Sequence, residues 1–314
     1  MSTQETAKTL FLTADSIEYA YRLIGNASNS SPPLLMLNHV RATIDTWDPF
    51  VINNLTASGR RIITYDYAGI GHSGGSVAPN IKGFAMNLLA FLSVLLPTLQ
   101  VKRVDVLGFS MGGYVAQQLS LDNPEIVGKL ILSGTGPSLG PGLQRPMNEV
   151  QSTVFNPIPG LPTIEAFFPS FTTGEEGEEW YNRSTNSRAA IAGRGGEPEI
   201  ALFTTGPALI NLTQAYLTWD ADTVPYSLLQ GIQKDTLVTA GDNDLIIPTH
   251  NSFILSRQLS RANFMMFPSS GHGHMFQYAQ YYTKVVIEFL NGQLPIVPFS
   301  AGTTIPLGSQ GRIN

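Results

Sequence analysis

A chain of 314 residues can bury about three-quarters of its unfolded surface and needs no metal or disulfide to hold it together. Hydrophobic residues make up 43% and charged residues 13%, and a net charge of −5 offers no basic stripe for nucleic acid. Cysteine is absent, which excludes disulfides, thiolate catalysis and cysteine-ligated metals.

The chain opens on "TLFLTADSIEYAYRLIG", which reads as two antiparallel strands turning at Ala14-Asp15-Ser16. Compact apolar runs follow at 34–38, 60–66, 103–109 and 129–134, the pattern of strands covered on both faces. Helices are predicted between them at about 48–58, 82–99 and 111–122. Strand–helix alternation of this kind specifies an α/β fold, a mostly parallel sheet flanked by helices. The run from Phe84 to Pro97 is apolar but shorter than the ~20 residues that span a bilayer, so it reads as a buried helix and no membrane partner is expected. The start, "MSTQETAKTL", lacks a charged-then-apolar pattern, and a cytoplasmic location is the expectation.

After residue 136 the rhythm breaks. Residues 137–229 are rich in Pro and Gly, hold an acidic patch "GEEGEEW" and an aromatic cluster "FFPSF", and contain no clear strand. Alternation resumes with strands at 235–241 and 263–268 and helices near 250–260 and 275–291. The chain therefore reads as one α/β core, 1–136 and 230–291, interrupted by a mainly helical insertion at 137–229. The nearly uncharged residues 292–314 are an arm that packs on the body or on a second copy in a homodimer, or else a loose terminus.

"VLGFSMGG" places Ser110 in a G-x-S-x-G match between a predicted strand and a predicted helix, the context a nucleophile elbow requires. A serine at so sharp a turn needs small neighbours two positions away, and the turn presents its Oγ at a helix N-terminus, where negative charge is favoured. The alternative is a serine that merely caps the helix. A serine nucleophile needs a base. Of five histidines, His272 is preferred for its place in the glycine-flanked loop "SSGHGHMFQ" and for the Ser…Asp…His order of the elbow fold, with His274 second. "TAGDNDLIIP" offers Asp244 to orient the base, and Asp242 as a turn former.

With these motifs in order, the chain resembles an α/β-hydrolase over nearly its whole length. "YDYAGIGHSGG" is similar to that family's D-x-R-G-x-G-x-S loop, "GDNDLIIP" to its acid loop and "SSGHGH" to its histidine loop. The resemblance implies an eight-stranded sheet, Ser110 as nucleophile, Asp244 as acid, His272 as base, and a cap at the insertion. It also implies an oxyanion hole. Aligned from Trp47, Asn38-His39 stands where the family has His-Gly, so the donors are the backbone N–H groups of Val40 and Met111. The family's D-x-R-G arginine is missing, its stretch reading Tyr67-Ala68, and His72 and His250 read as surface or packing residues.

His39 stands near the site entrance as a candidate for substrate binding or catalysis, with packing against the cap preferred, and Arg41 either binds a polar substrate group or pairs with Asp45 or Asp48. Phe109, Phe167, Phe168, Phe171 and Trp180 are the further candidates for an apolar pocket that takes a small to medium molecule. The resulting expectation is a serine hydrolase acting on a carboxylic ester or lactone, with no metal or organic cofactor implied. Carbon–carbon bond hydrolysis, perhydrolase or haloperoxidase-like chemistry, a biosynthetic step and a slowly turning ligand receptor are the alternatives on the same fold.

Overall fold

The computed structural model describes residues 1–26, 31–147, 150, 152, 154–155, 164, 167–168, 174–294 and 296. Strands β1 (Leu10–Ala14) and β2 (Ile17–Ile24) form the expected hairpin. Asp15 and Ser16 between them both adopt positive φ, 47° and 63°, the two-residue turn whose twist matches that of the strands it joins. β2 then pairs antiparallel with β4 (Ile62–Tyr65), and every later pairing is parallel. With β3 (Leu34–Leu37), β5 (Val104–Phe109), β6 (Val127–Ser133), β7 (Thr236–Gly241) and β8 (Ala262–Phe267), the eight strands lie in the order β1-β2-β4-β3-β5-β6-β7-β8. Every residue of β3, β4, β5 and β7 is buried, which is why these strands read as unbroken apolar runs and not as alternations.

The helices begin where local chemistry starts them. Asp48 accepts from the Phe50 amide, and Pro49 opens α1 (Pro49–Ala57). Asn80 accepts from the Gly83 amide at the head of α2 (Ile81–Thr98). α2 is apolar and 18 residues long, but its stripe through Phe84, Leu88, Phe91, Leu92 and Leu95 is buried, and it packs on β1 and on α3 (Met111–Asp122). Between β6 and β7 come α4 (Gly174–Asn186), α5 (Pro207–Ala221) and α6 (Val224–Leu228), with no strand among the described residues. α7 (Thr249–Gln258) links β7 to β8. The helix predicted over 275–291 is two, α8 (His274–Gln277) and α9 (Ala279–Leu290), because Tyr278 at φ −104° and ψ 32° leaves the helical region between them. Of the terminal arm, all but 292–294 and 296 lies outside the described residues. The sheet thus presents the C-terminal ends of β3, β5, β6, β7 and β8 as one edge, and Val40, Ser110, Asp244 and His272 follow those ends.

Candidate active site

Ser110 sits between the last residue of β5 and the first of α3, at φ 56° and ψ −122°. A residue with a side chain at such a φ costs on the order of 1–3 kcal/mol and persists only where its surroundings dictate it. Here they do. The Ser110 amide donates to the Ser133 carbonyl at 2.9 Å, and the Gly113 amide donates back to the Ser110 carbonyl at 2.8 Å. A Cβ on Gly108 would collide with the Gly112 carbonyl, and one on Gly112 with the Leu37 carbonyl, so strand and helix can close on the serine only with glycine at both places.

His272 and Asp244 meet as the sequence suggests. His272 Nδ1 lies 2.8 Å from Asp244 Oδ2, both side chains almost fully buried. Asp244 Oδ1 accepts the amides of Ile246 and Ile247, each at 3.0 Å, so the carboxylate is held through both oxygens. An ionised carboxylate only accepts, so the imidazole proton sits on Nδ1 and Nε2 presents its lone pair. The His272 ring packs 5.0 Å from the ring of Phe109, the residue before Ser110. Asp242 accepts the amides of Ser269 and Ser270 and so shapes the loop that leads to His272. His274 is fully buried in another chain of polar groups, with Nε2 3.0 Å from Thr239 Oγ1, which in turn donates to Ser133 Oγ. Burial pushes its pKa down to about 4.

The amides of Val40 and Met111 are the remaining candidates. Met111 opens α3, where first-turn N–H groups have no acceptor within the helix. Among the described residues, neither amide donates a backbone or side-chain hydrogen bond. Both residues are buried.

The loop that carries Val40 is built differently from the family-like expectation. The left-handed residue is Arg41, at φ 70°, not His39, so the backbone places no demand for glycine at 39. The His39 amide donates to Asn38 Oδ1, and Asn38 Nδ2 donates to the Thr43 carbonyl at 2.7 Å. His39 Nδ1 donates to the Val40 carbonyl at 2.9 Å, and its ring contacts Phe109, Phe167 and Phe203. Burial, together with the nearby His272, pushes its pKa down to about 3, so it is a neutral ring at any working pH. The expected packing against the cap is what this ring does.

Two sequence readings need correcting. Asp45 and Asp48, expected as partners of Arg41, pair with other arginines: Asp45 with Arg22 at 2.5 Å, Asp48 with Arg183 through both oxygens. Arg41 turns instead to the insertion, donating to the carbonyls of Thr204 and Val154. His72 is neither a surface nor a packing residue. Its Nε2 lies 2.8 Å from Asp45 Oδ2, in a loop held by Asp66, whose carboxylate accepts the amides of Ile44 and His72. The guanidinium of Arg22, wholly buried on β2, also bonds the Ile44 carbonyl. An arginine set between Tyr21 and Leu23 is the signal in the sequence that points to it, although the same strand also carries Glu18.

The insertion closes over the site. Phe167 stands 5.2 Å from the His272 ring and stacks on Trp180, while its carbonyl accepts from the Gly273 amide at 2.8 Å. Phe168 packs edge-on to Trp180, and Phe276 lies against both Phe167 and Phe109. Phe171 lies outside the described residues. A cleft of about 300 Å³, lined in part by Tyr114, Tyr216, Ile246 and Ile247, reaches the residues just beyond Asp244. Arg183 on Asp48, Arg188 on Asp45 and the Ala201 amide on Asp45 fasten this insertion to the loop that carries Val40.

A serine elbow after a central strand and a carboxylate-held histidine on the loops after the last two strands are the arrangement expected of an α/β-fold hydrolase. Residues 32–277 match the family model for the alpha/beta hydrolase fold. The chain belongs to the α/β-hydrolase family, and a hydrolase is the activity class the comparisons support. It is 26% identical over 290 residues to a 2-hydroxy-6-oxononadienedioate/2-hydroxy-6-oxononatrienedioate hydrolase of Cupriavidus pinatubonensis, covering 91% of this chain and 96% of that one. A 2-hydroxy-6-oxo-6-phenylhexa-2,4-dienoate hydrolase of Burkholderia cepacia is 25% identical, covering 86% and 91%. Among solved structures, an alpha/beta hydrolase fold protein from Chitinophaga pinensis superposes with a TM-score of 0.76 at 26% identity, covering 92% and 99%.

Proposed function

We propose that the protein is a serine hydrolase that cleaves a carboxylic ester or lactone of a small to medium, partly apolar molecule through an acyl-enzyme. What supports this reading is the Asp244–His272 pair, whose ring packs on Phe109 next to the elbow serine, together with two amides that donate no hydrogen bond among the described residues. Ser110 Oγ attacks the carbonyl carbon and its proton passes to His272 Nε2. The negative charge that forms on the carbonyl oxygen is held by the N–H groups of Val40 and Met111. Collapse breaks the ester C–O bond, and the proton on His272 goes to the departing alkoxide. Water then gives its proton to His272 and attacks the acyl carbon, releasing the acid and restoring Ser110. Asp244 keeps the imidazole in the productive tautomer and stabilises it while it is protonated. The aromatic wall of Phe109, Phe167, Trp180 and Phe276 favours an apolar acyl or alcohol group.

A second reading has support from the two relatives named for 2-hydroxy-6-oxo-dienoates, which suggest a dienoate substrate for the same serine and histidine. One experiment separates them. The protein is incubated with p-nitrophenyl esters of graded chain length, with a lactone, and with a 2-hydroxy-6-oxo-dienoate, while a fluorophosphonate reports on Ser110. The proposal expects labelling at Ser110 and steady turnover of esters or lactone at least tenfold above that of the dienoate. The reverse ranking selects the second reading, and labelling without turnover of any substrate overturns both.

A further inference from the structure

At the end of the sheet opposite Ser110, beside the first residues of β5, β6, β7 and β8, lies a groove of about 620 Å³. Five of the chain's 18 Lys and Arg residues line it: Arg60, Arg103, Lys129, Lys234 and Arg261. Among the described residues only Asp105 and Asp235 oppose them, so a chain of net charge −5 concentrates a surplus of three positive charges in one concavity.

Part of that charge is committed to the fold. Arg60 forms the buried floor, bonding the Pro32 carbonyl and Asp105 Oδ2, both at 2.7 Å. Asp105 also receives the Lys129 amide through its other oxygen. Arg261 takes Asp235 Oδ1 through Nε and an NH2. The Lys129 ammonium donates to the carbonyls of Phe289 and Leu290, at the negative end of α9. Arg103 and Lys234 differ: among the described residues neither makes a close ion pair, Arg103 is exposed and acts on Asp105 only at longer range, and Lys234 is half-buried in the groove wall. Cations gathered in a concave, partly desolvated space repel one another and focus a positive potential, and an anion entering it relieves both costs. Arginine forks beside lysine points of charge suit phosphate oxygens.

We propose that this groove is a binding site for a compact phosphoanhydride anion, a di- or triphosphate chain either free or carried by a nucleotide. Its three surplus positive charges match such a chain better than a single monovalent anion. The site stands apart from Ser110 and does not depend on the ester reading.

The test uses the full-length protein and two probes, inorganic triphosphate and ATP, each without divalent metal. At about 20 mM NaCl, either probe at millimolar concentration is expected to raise Tm by about 3 °C or more. The rise fades toward zero at about 500 mM NaCl, because the site is open to screening. The variant Arg103→Ala/Lys234→Ala loses the rise, and Arg103→Lys/Lys234→Arg keeps it. Both replaced residues lie on the groove wall, and unliganded Tm and circular dichroism check that the variants fold. Equal effects of the two probes assign recognition to the phosphate chain, and a larger effect of ATP extends the site to the nucleoside. No rise in the native chain, an equal rise in Arg103→Ala/Lys234→Ala, or an equal rise with sulfate at matched ionic strength overturns the proposal.

Discussion

Two loops flank the candidate site, each with a non-glycine residue forced to positive φ, and they are held by opposite means. The elbow keeps Ser110 at φ 56° by exclusion: neighbouring backbone leaves no room for a side chain at Gly108 or Gly112. The loop that carries Val40 keeps Arg41 at φ 70° through side chains, among them Asn38, Asp45 and Asp66, anchored in turn by Arg22, His72 and the insertion. A conformation imposed by sterics needs particular residues at fixed spacing. One imposed by buried charge needs only that the partners arrive, from anywhere along the chain.

The comparison can be broken at either loop. The largest effect is chemical: Ser110→Ala should lower ester turnover by about 10⁴-fold or more in steady-state kinetics. Ser110→Gly should be as inactive yet gain on the order of 1 kcal/mol in urea unfolding, because glycine tolerates the φ that serine resists. A loss of stability in Ser110→Gly would show that the elbow is not strained.

In the other loop, Asp45→Asn strands Arg22 and weakens the hold of Arg188 in a buried setting, at a cost of about 3–5 kcal/mol by chemical denaturation. A cost under about 1 kcal/mol would mean that the network is ornamental. The same pair sets a pH dependence. Burial raises the Asp45 pKa, but the His72 hydrogen bond, the Arg22 charge and the Ala201 amide outweigh it and hold the carboxyl at about 2, against 3.8 in an unfolded chain. A group depressed in this way stabilises fully above pH 4 and loses that contribution as the pH falls toward 2. The stability gap between native protein and Asp45→Asn should therefore shrink by about 2 kcal/mol over that interval. A gap that stays constant would remove Asp45 as its source.

The smallest effect belongs to His39. Since its imidazole is held neutral by burial, His39→Phe should keep kcat/KM within about threefold for apolar esters and leave the pH–rate profile from pH 4 to 9 unchanged. A hundredfold loss, or a vanished limb of the profile, would make His39 a participant in proton transfer.

What could be read from the sequence follows the same division. The hairpin, the parallel strands, the elbow glycines and the loops of Asp244 and His272 were legible because short-range sterics and turn chemistry fix them. The role of His72 is not legible in the sequence, because the carboxylate it meets, Asp45, lies 27 residues away and on a different loop. The partners of Arg41 are hidden for a like reason: proximity in sequence points to Asp45 and Asp48, while Arg22 and Arg183 reach those carboxylates through the fold. His39 was legible in effect, as a packing residue, although the glycine expected there proved unnecessary.

The bonds from Arg183, Arg188 and Ala201 to Asp48 and Asp45 have one more consequence. A covering segment tied to the rest of a molecule by contacts at its rim alone can be exchanged for another during evolution or engineering, and it can open or unfold by itself. This one shares its carboxylates with the loop that presents the Val40 amide. Grafting a foreign insertion between β6 and β7 would leave Asp45 and Asp48 short of partners and disturb the receiving end of the reaction. New specificity in this scaffold should therefore come more readily from changes to the aromatic faces than from replacing the covering segment whole.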